Sequence, residues 1–191
     1  MIKFENDPVY VDRIWLLTIR HTGTHFTYEH LNIFGYDVCQ VHWDTMTVKH
    51  SIGPKQYIHA HIGMLPEWNR ITDEKVIVTL RNPIDVFKTH VYRYKWNVDE
   101  FSPCIINLFK DWCLLVDRFK AHVFRVDAED QQAEVNRLAE FLDAVSWTYK
   151  EQERNISSSL APDFFRNDKR AKMLYDNPPT EILELANEYG Y

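Results

Sequence analysis

Glycine is scarce in this chain, 5 of 191 residues, and the glycine-rich phosphate loops that several nucleotide enzymes depend on are absent. No GxxxxGK followed by Ser or Thr occurs, so no lysine is delivered to β/γ-phosphates in the Walker manner. No GxGxxG opens a helix after a strand, which excludes the common dinucleotide fingerprint. Apolar runs are short as well, none approaching the ~18–20 residues of a membrane span, and the opening MIKFENDPVY is charged and polar, unlike a secretory leader. Cysteine is limited to Cys39, Cys104 and Cys113. They lack metal-ligand spacing, and the odd count without a leader points to a reducing, cytoplasmic setting. Basic charge is short: 22 Lys and Arg face 28 Asp and Glu, a net charge of −6, which excludes a general nucleic-acid binder. No HExxH occurs, and the pairs His21/His25 and His59/His61 lack a carboxylate constellation, so no metal is expected.

What is present is a globular composition, 45% hydrophobic and 14% aromatic, long enough for one α/β domain with a real core. Two segments share one grammar. In residues 14–31, IWLLTIRHTGTHFTYEHL, an apolar run suited to a strand buried on both faces leads through a loop into helical spacing. Gly23 sits at the centre of that loop, where the lack of a Cβ allows close approach of a ligand to the backbone. Thr22 and Thr24 add hydroxyls, and the amides and dipole of the following helix favour an anion. In residues 76–94, VIVTLRNPIDVFKTHVYRY, Arg81 stands at the end of a second β-branched strand. Pro83 fits a first helical turn, and Thr89 follows eight residues after Arg81. An arginine at the carboxyl end of a parallel strand is placed for bidentate phosphate contact.

Together these motifs resemble those of the sulfotransferases that use 3′-phosphoadenosine-5′-phosphosulfate (PAPS). The family's phosphosulfate loop has Lys or Arg, a hydroxyl residue, Gly, two hydroxyl residues and an aromatic. His21-Thr22-Gly23-Thr24-His25-Phe26 stands for it here. Its 3′-phosphate motif, Arg, Asn or Asp, Pro, then Asp and a later Ser, is matched by Arg81-Asn82-Pro83-Ile84-Asp85 and Thr89. Residues 56–68 resemble the strand carrying the family's Lys, hydroxyl, His triplet; His59-Ala60-His61 stands for it, so that His61, or else His59, takes the place of the catalytic base. On a strand both rings face one side.

The resemblance spans roughly residues 13–145 and implies a three-layer α/β/α fold around a parallel sheet of four or five strands, P-loop-NTPase-like in topology. It implies sulfuryl transfer from PAPS, leaving 3′,5′-adenosine bisphosphate (PAP), to a hydroxyl or amine of a small-molecule, glycan or peptide acceptor, with no metal. In its terms Arg20 or His21 supplies the charge that the family's loop lysine gives. Arg20, His21, Thr22, Gly23, Thr24 and His25 hold the phosphosulfate, Phe26 contacts the adenine, and Arg81 with Thr89 holds the 3′-phosphate. Arg166, Lys169, Arg170 and Lys172 form a basic cluster in the place of the family's late segment over the 3′-phosphate. Other readings are a nucleotide kinase or phosphotransferase, and a non-catalytic nucleotide-binding relic.

For the rest, a strand-like stretch is expected at Tyr36–Trp43 and helices over 97–121 and 132–142. Residues 123–126 read as a short strand and 155–170 as a loop. A last helix over 180–189 has Thr180 as its candidate cap. Residues 1–191 are read as one domain with a lid-like segment near 152–172. Tyr92, Tyr94 and Trp96 are candidates for lining an acceptor site.

Overall fold

The computed structural model describes residues 3–4, 12–42, 47–49, 54–62, 71, 75–93, 98–149 and 169–191. In chain order the elements are β1 (Lys3–Phe4), β2 (Asp12–Thr18), α1 (Thr24–Ile33), β3 (Asp37–His42), β4 (Thr47–Lys49), β5 (Lys55–His61) and β6 (Lys75–Leu80). They continue as α2 (Pro83–Arg93), α3 (Val98–Phe119), β7 (His122–Arg125), α4 (Gln131–Phe141), α5 (Lys169–Asp176) and α6 (Thr180–Glu188).

The strands form one sheet in the order β1-β4-β3-β5-β2-β6-β7. The five strands from β3 to β7 in that order are mutually parallel, as the sequence led us to expect. β4 adds antiparallel to β3, and β1 lies parallel to β4.

Alternate strand residues feed two cores, which is why the central strands read as unbroken apolar runs. Ile14, Leu16, Tyr57, Ile77 and Phe124 pack with Leu31 of α1 and with Val135 and Leu138 of α4. Trp15, Leu17, Ile58, Val76, Val78 and Leu80 pack on the other face with Phe87 and Val91 of α2 and Phe109 and Trp112 of α3. Ala171 and Ile182 bring α5 and α6 into that second core.

From β2 the chain passes along α1 to the β3 side of the sheet, and from β6 along α2 and α3 to the β7 side. Helices of opposite faces thus leave two adjacent strands, which makes the carboxyl ends of β2 and β6 a topological switch point, the place where open α/β sheets bind ligands.

Two local expectations change. Thr180 is the first helical residue, not the cap. Pro179, with φ −56° and ψ 149°, holds the chain extended up to it, and no side chain caps α6. The last two residues of the segment read as a loop, Lys169 and Arg170, already open helix α5, which packs against α2. Among the described residues no helix is long and apolar enough to cross a membrane.

Candidate functional site

The loop after β2 is wound tightly. His21 has φ 68° and Gly23 φ 84°, two left-handed residues within three, and the Thr22 amide between them turns back onto the Ile19 carbonyl. For His21 this conformation costs about 1–2 kcal/mol. Arg81 Nη1 donates to the His21 carbonyl at 3.3 Å, holding the turned peptide from the neighbouring strand. Gly23 is the N-cap of α1 and no side chain caps that end, so the first amides of the helix keep their demand for an acceptor. The reason for glycine here differs from the expected one. A Cβ on Gly23 would stand 2.8 Å from Val126 Cγ2; the left-handed φ and this protein neighbour already demand glycine here.

The two loop threonines part company. Thr22 is wholly buried. Its amide and its hydroxyl both donate to the Ile19 carbonyl, at 3.2 and 2.6 Å, and its oxygen lies 2.5 Å from Thr79 Oγ. Both of its donors are spent inside the loop, so Thr22 braces the loop to β6 and has no donor left for an anion, contrary to the expectation from the motif. Thr24 instead turns back to the end of β2, and its hydroxyl donates to Thr18 Oγ at 3.2 Å.

Thr18 ends β2 and pairs in register with His61 on β5. Its Oγ lies 2.9 Å from His59 Nε2 and 2.9 Å from His61 Nδ1, and the two rings meet edge to face at 4.7 Å. The structure therefore brings both candidate bases to one hydroxyl. Burial lowers the pKa of His59 to about 3, with His61 and His25 adding to the shift. Burial, then the charge of Arg20, lowers that of His61. Both rings are neutral at pH 7. Arg20 and His25 are exposed, and His25 meets the Tyr28 ring edge-on at 5.7 Å. Tyr28 in turn lies edge-on to His59 at 5.2 Å.

At the end of β6, Arg81 is half-buried and sits 3.9 Å from Asp85. Asn82 caps α2: its Oδ1 accepts from the Ile84 amide at 2.9 Å, ahead of Pro83 as first helical residue. The Asn82 amide donates to Asp127 Oδ2 at 2.7 Å. Asp127 Oδ1 accepts from Tyr191 Oη at 2.6 Å. Thr89 lies two turns into α2, and its hydroxyl donates to the Asp85 carbonyl of its own helix at 2.7 Å, so the proton expected for an anion is directed to the backbone. The His21 ring packs edge-on to His90 of α2 at 4.7 Å.

Phe26 faces an aromatic group that the sequence did not disclose. It lies near Phe124, His30 and Tyr149, with ring centroids 4.4 to 6.4 Å apart, and Trp147 closes on His30 and Tyr149. Three buried polar atoms of this group, His30 Nε2, Trp147 Nε1 and Tyr149 Oη, have no hydrogen-bond partner among the described residues. Trp147 and Tyr149 belong to an irregular segment without periodicity. The available signal was an aromatic pair two residues apart just beyond an amphipathic helix.

Of the tail's basic cluster, Lys169 and Arg170 are exposed on α5, Lys172 pairs with Asp176 at 2.5 Å, and Arg166 lies outside the described residues. So do Tyr94, Trp96 and residues 152–168 of the lid-like segment, whereas Tyr92 packs against the α2–α3 core. Among the described residues no group of three or more His, Cys, Asp or Glu side chains is arranged to hold a metal ion.

No family model matches the chain, and no curated protein matches it in sequence. Among solved structures the chain is similar to the mouse sulfotransferase SULT7A1 complexed with PAP, with a TM-score of 0.60 and 13% identity over 93% of this chain and 88% of that one. The fold is thus the α/β fold of a sulfotransferase, five parallel strands between two layers of helices.

Proposed function

We propose that the protein is a PAPS-dependent sulfotransferase. The observation that carries this reading is the meeting of Arg81 with the left-handed loop, guanidinium to the His21 carbonyl at 3.3 Å, at the switch point of a fold shared with a PAP-bound sulfotransferase. One ligand bearing two separated anionic groups suits that pairing: the uncapped end of α1 and the loop amides for the 5′ side, Arg81 for the 3′-phosphate. Phe26 lies on the α1 side of the loop beside buried donors at Trp147 and Tyr149, a place that suits a purine with acceptor ring nitrogens.

Bound PAPS supplies the activated sulfuryl group. The chain's residues do the rest by positioning and charge stabilisation, as in phosphoryl transfer. His61 Nε2 takes the proton of the acceptor hydroxyl or amine as the acceptor's bond to sulfur forms and the bond from sulfur to the phosphate oxygen breaks, leaving PAP. A nearby anionic donor favours the protonated ring and lifts His61 from its lowered pKa toward neutrality, which suits a base. His59, held neutral by burial, gives no positive charge in place of the lysine of the family's Lys, hydroxyl, His triplet, and Arg20 or His21 takes the place of the loop lysine. That neutrality also favours a second reading, a protein that binds the nucleotide without turning it over.

The test is calorimetry with PAP, ADP and ATP on the wild type and Arg81→Ala. PAP should bind selectively, and loss of a charge-assisted bond of about 1.5–3 kcal/mol should weaken it about 10- to 100-fold. Equal binding of all three nucleotides, or none, refutes the reading. His61→Ala should keep PAP affinity and abolish turnover with any acceptor found; a wild type that binds PAP yet sulfates nothing across an acceptor panel leaves the second reading.

A further inference from the structure

Thr18 is the hub of the two histidines, and hydrogen-bond counting restricts what it can do. A threonine hydroxyl has one proton and two lone pairs. Thr24 donates into one lone pair at 3.2 Å. One proton and one lone pair then remain for two imidazoles at 2.9 Å each. One ring must accept from Thr18 and the other must donate to it. His59 is engaged through Nε2 and His61 through Nδ1, so either solution gives both rings the same tautomer while their outward nitrogens take opposite roles. With both rings protonated at Nδ1, His61 presents a bare Nε2 and His59 presents an N–H. With both protonated at Nε2, the roles exchange.

We propose that Thr18 is a positioning residue that locks His59 and His61 together in the Nδ1–H tautomer, making His61 the base and His59 a neutral donor beside it. This rests on the sulfotransferase reading only for what the base acts upon. The choice between the two solutions follows from surroundings. His59 is the more deeply placed ring, flanked by the edge of Tyr28 and the ring of His61, and burial opposes its protonation most strongly. His61, the last residue of β5, is the less deeply placed ring, and its contact with the Thr18 backbone favours a proton on it while burial and the charge of Arg20 oppose one. One hydroxyl proton thus assigns base and donor without any residue being charged at rest, a device that a lysine at position 59 would not need.

Imidazole 15N NMR at neutral pH tests this on the intact chain without nucleotide, with rings assigned through His59→Gln and His61→Gln. In the wild type both rings should carry the proton on Nδ1. In the near-isosteric Thr18→Val at least one ring should move to Nε2–H, and Thr18→Ser should restore the wild-type pattern. With an acceptor in hand, Thr18→Val should lower kcat about 100-fold or more at unchanged PAP affinity. Wild-type rings with protons on opposite nitrogens, or both on Nε2, overturn the proposal. So does a Thr18→Val protein whose ring signals match the wild type. Because the wild-type signals need neither ligand nor turnover, failure here is distinct from failure to bind PAP.

Discussion

The units β2–loop–α1 and β6–turn–α2 are spelled alike and built oppositely. The first leaves its helix end open: Gly23 has no side chain to cap it, and the loop before it is wound through two left-handed residues. The second closes its own: Asn82 takes the Ile84 amide, and Asp127 takes the Asn82 amide. An anion at the first unit meets backbone dipoles. An anion at the second meets a carboxylate nearby and amides already engaged, so its partner must be a side chain, and Arg81 is the one in place. On the proposed function, two units made from one supersecondary motif would thus recognise charge by different means, fixed geometry on one side and a guanidinium fork on the other.

The sharpest way to break the comparison is Gly23→Val. A β-branched residue in the left-handed region and in collision with Val126 should lose about 2–5 kcal/mol, from about 1–2 for the backbone and about 1–3 for overpacking. Urea denaturation reads this. Gly23→Ala should lose less, and Val126→Ala in that background should recover part of the loss. An unchanged midpoint for Gly23→Val would show that the loop tolerates a different winding.

How far the two units were legible in the sequence follows from the same physics. β2 and β6 are buried on both faces and announce themselves as apolar runs, and Arg81 at the end of such a run is where open α/β sheets bind ligands, whereas β5, with Lys55, Gln56 and two histidines, was legible only through the family resemblance. Thr22 could not be read: in a loop with two left-handed residues, side-chain direction follows no period, and its hydroxyl turned into the core. Thr18 passed as one more strand residue because its meaning lies in the register with β5, which no local pattern carries. β1 and β4, of two and three residues, are too short for alternation to show, and Trp147 and Tyr149 sit where no periodicity exists.

Acid sharpens the contrast next. Of the histidines whose pKa burial chiefly lowers, His30, His59 and His61 lie against the first unit, and His122, lowered to about 4, lies on β7 beside the second. The unfolded chain binds protons near pH ~6.5 that the folded chain refuses, so folding stability should fall as pH drops from about 6.5 toward 4, by on the order of a few kcal/mol. His59→Gln should flatten that slope in denaturation curves taken across the range. An identical slope would mean that His59 takes up its proton as readily in the fold as in the unfolded chain. The smallest effect belongs to the second unit. Asn82→Ala removes one cap and should cost about 1 kcal/mol in the same assay, and a loss as large as that of Gly23→Val would show that the two helix ends are not built differently after all.

The distances along the chain between groups that touch have a kinetic meaning. Thr18 and His61 are 43 residues apart and His21 and Arg81 60. Closing loops of that length costs about 3–4 kcal/mol each before any contact repays it, and parallel pairing of this kind is slow. The contacts that join the two units therefore have no precursor in an isolated helix or hairpin. They come into being only when β2 has acquired both neighbours, so a ligand bridging the two units, as proposed, would hold the finished sheet together but would not serve as the template on which it forms.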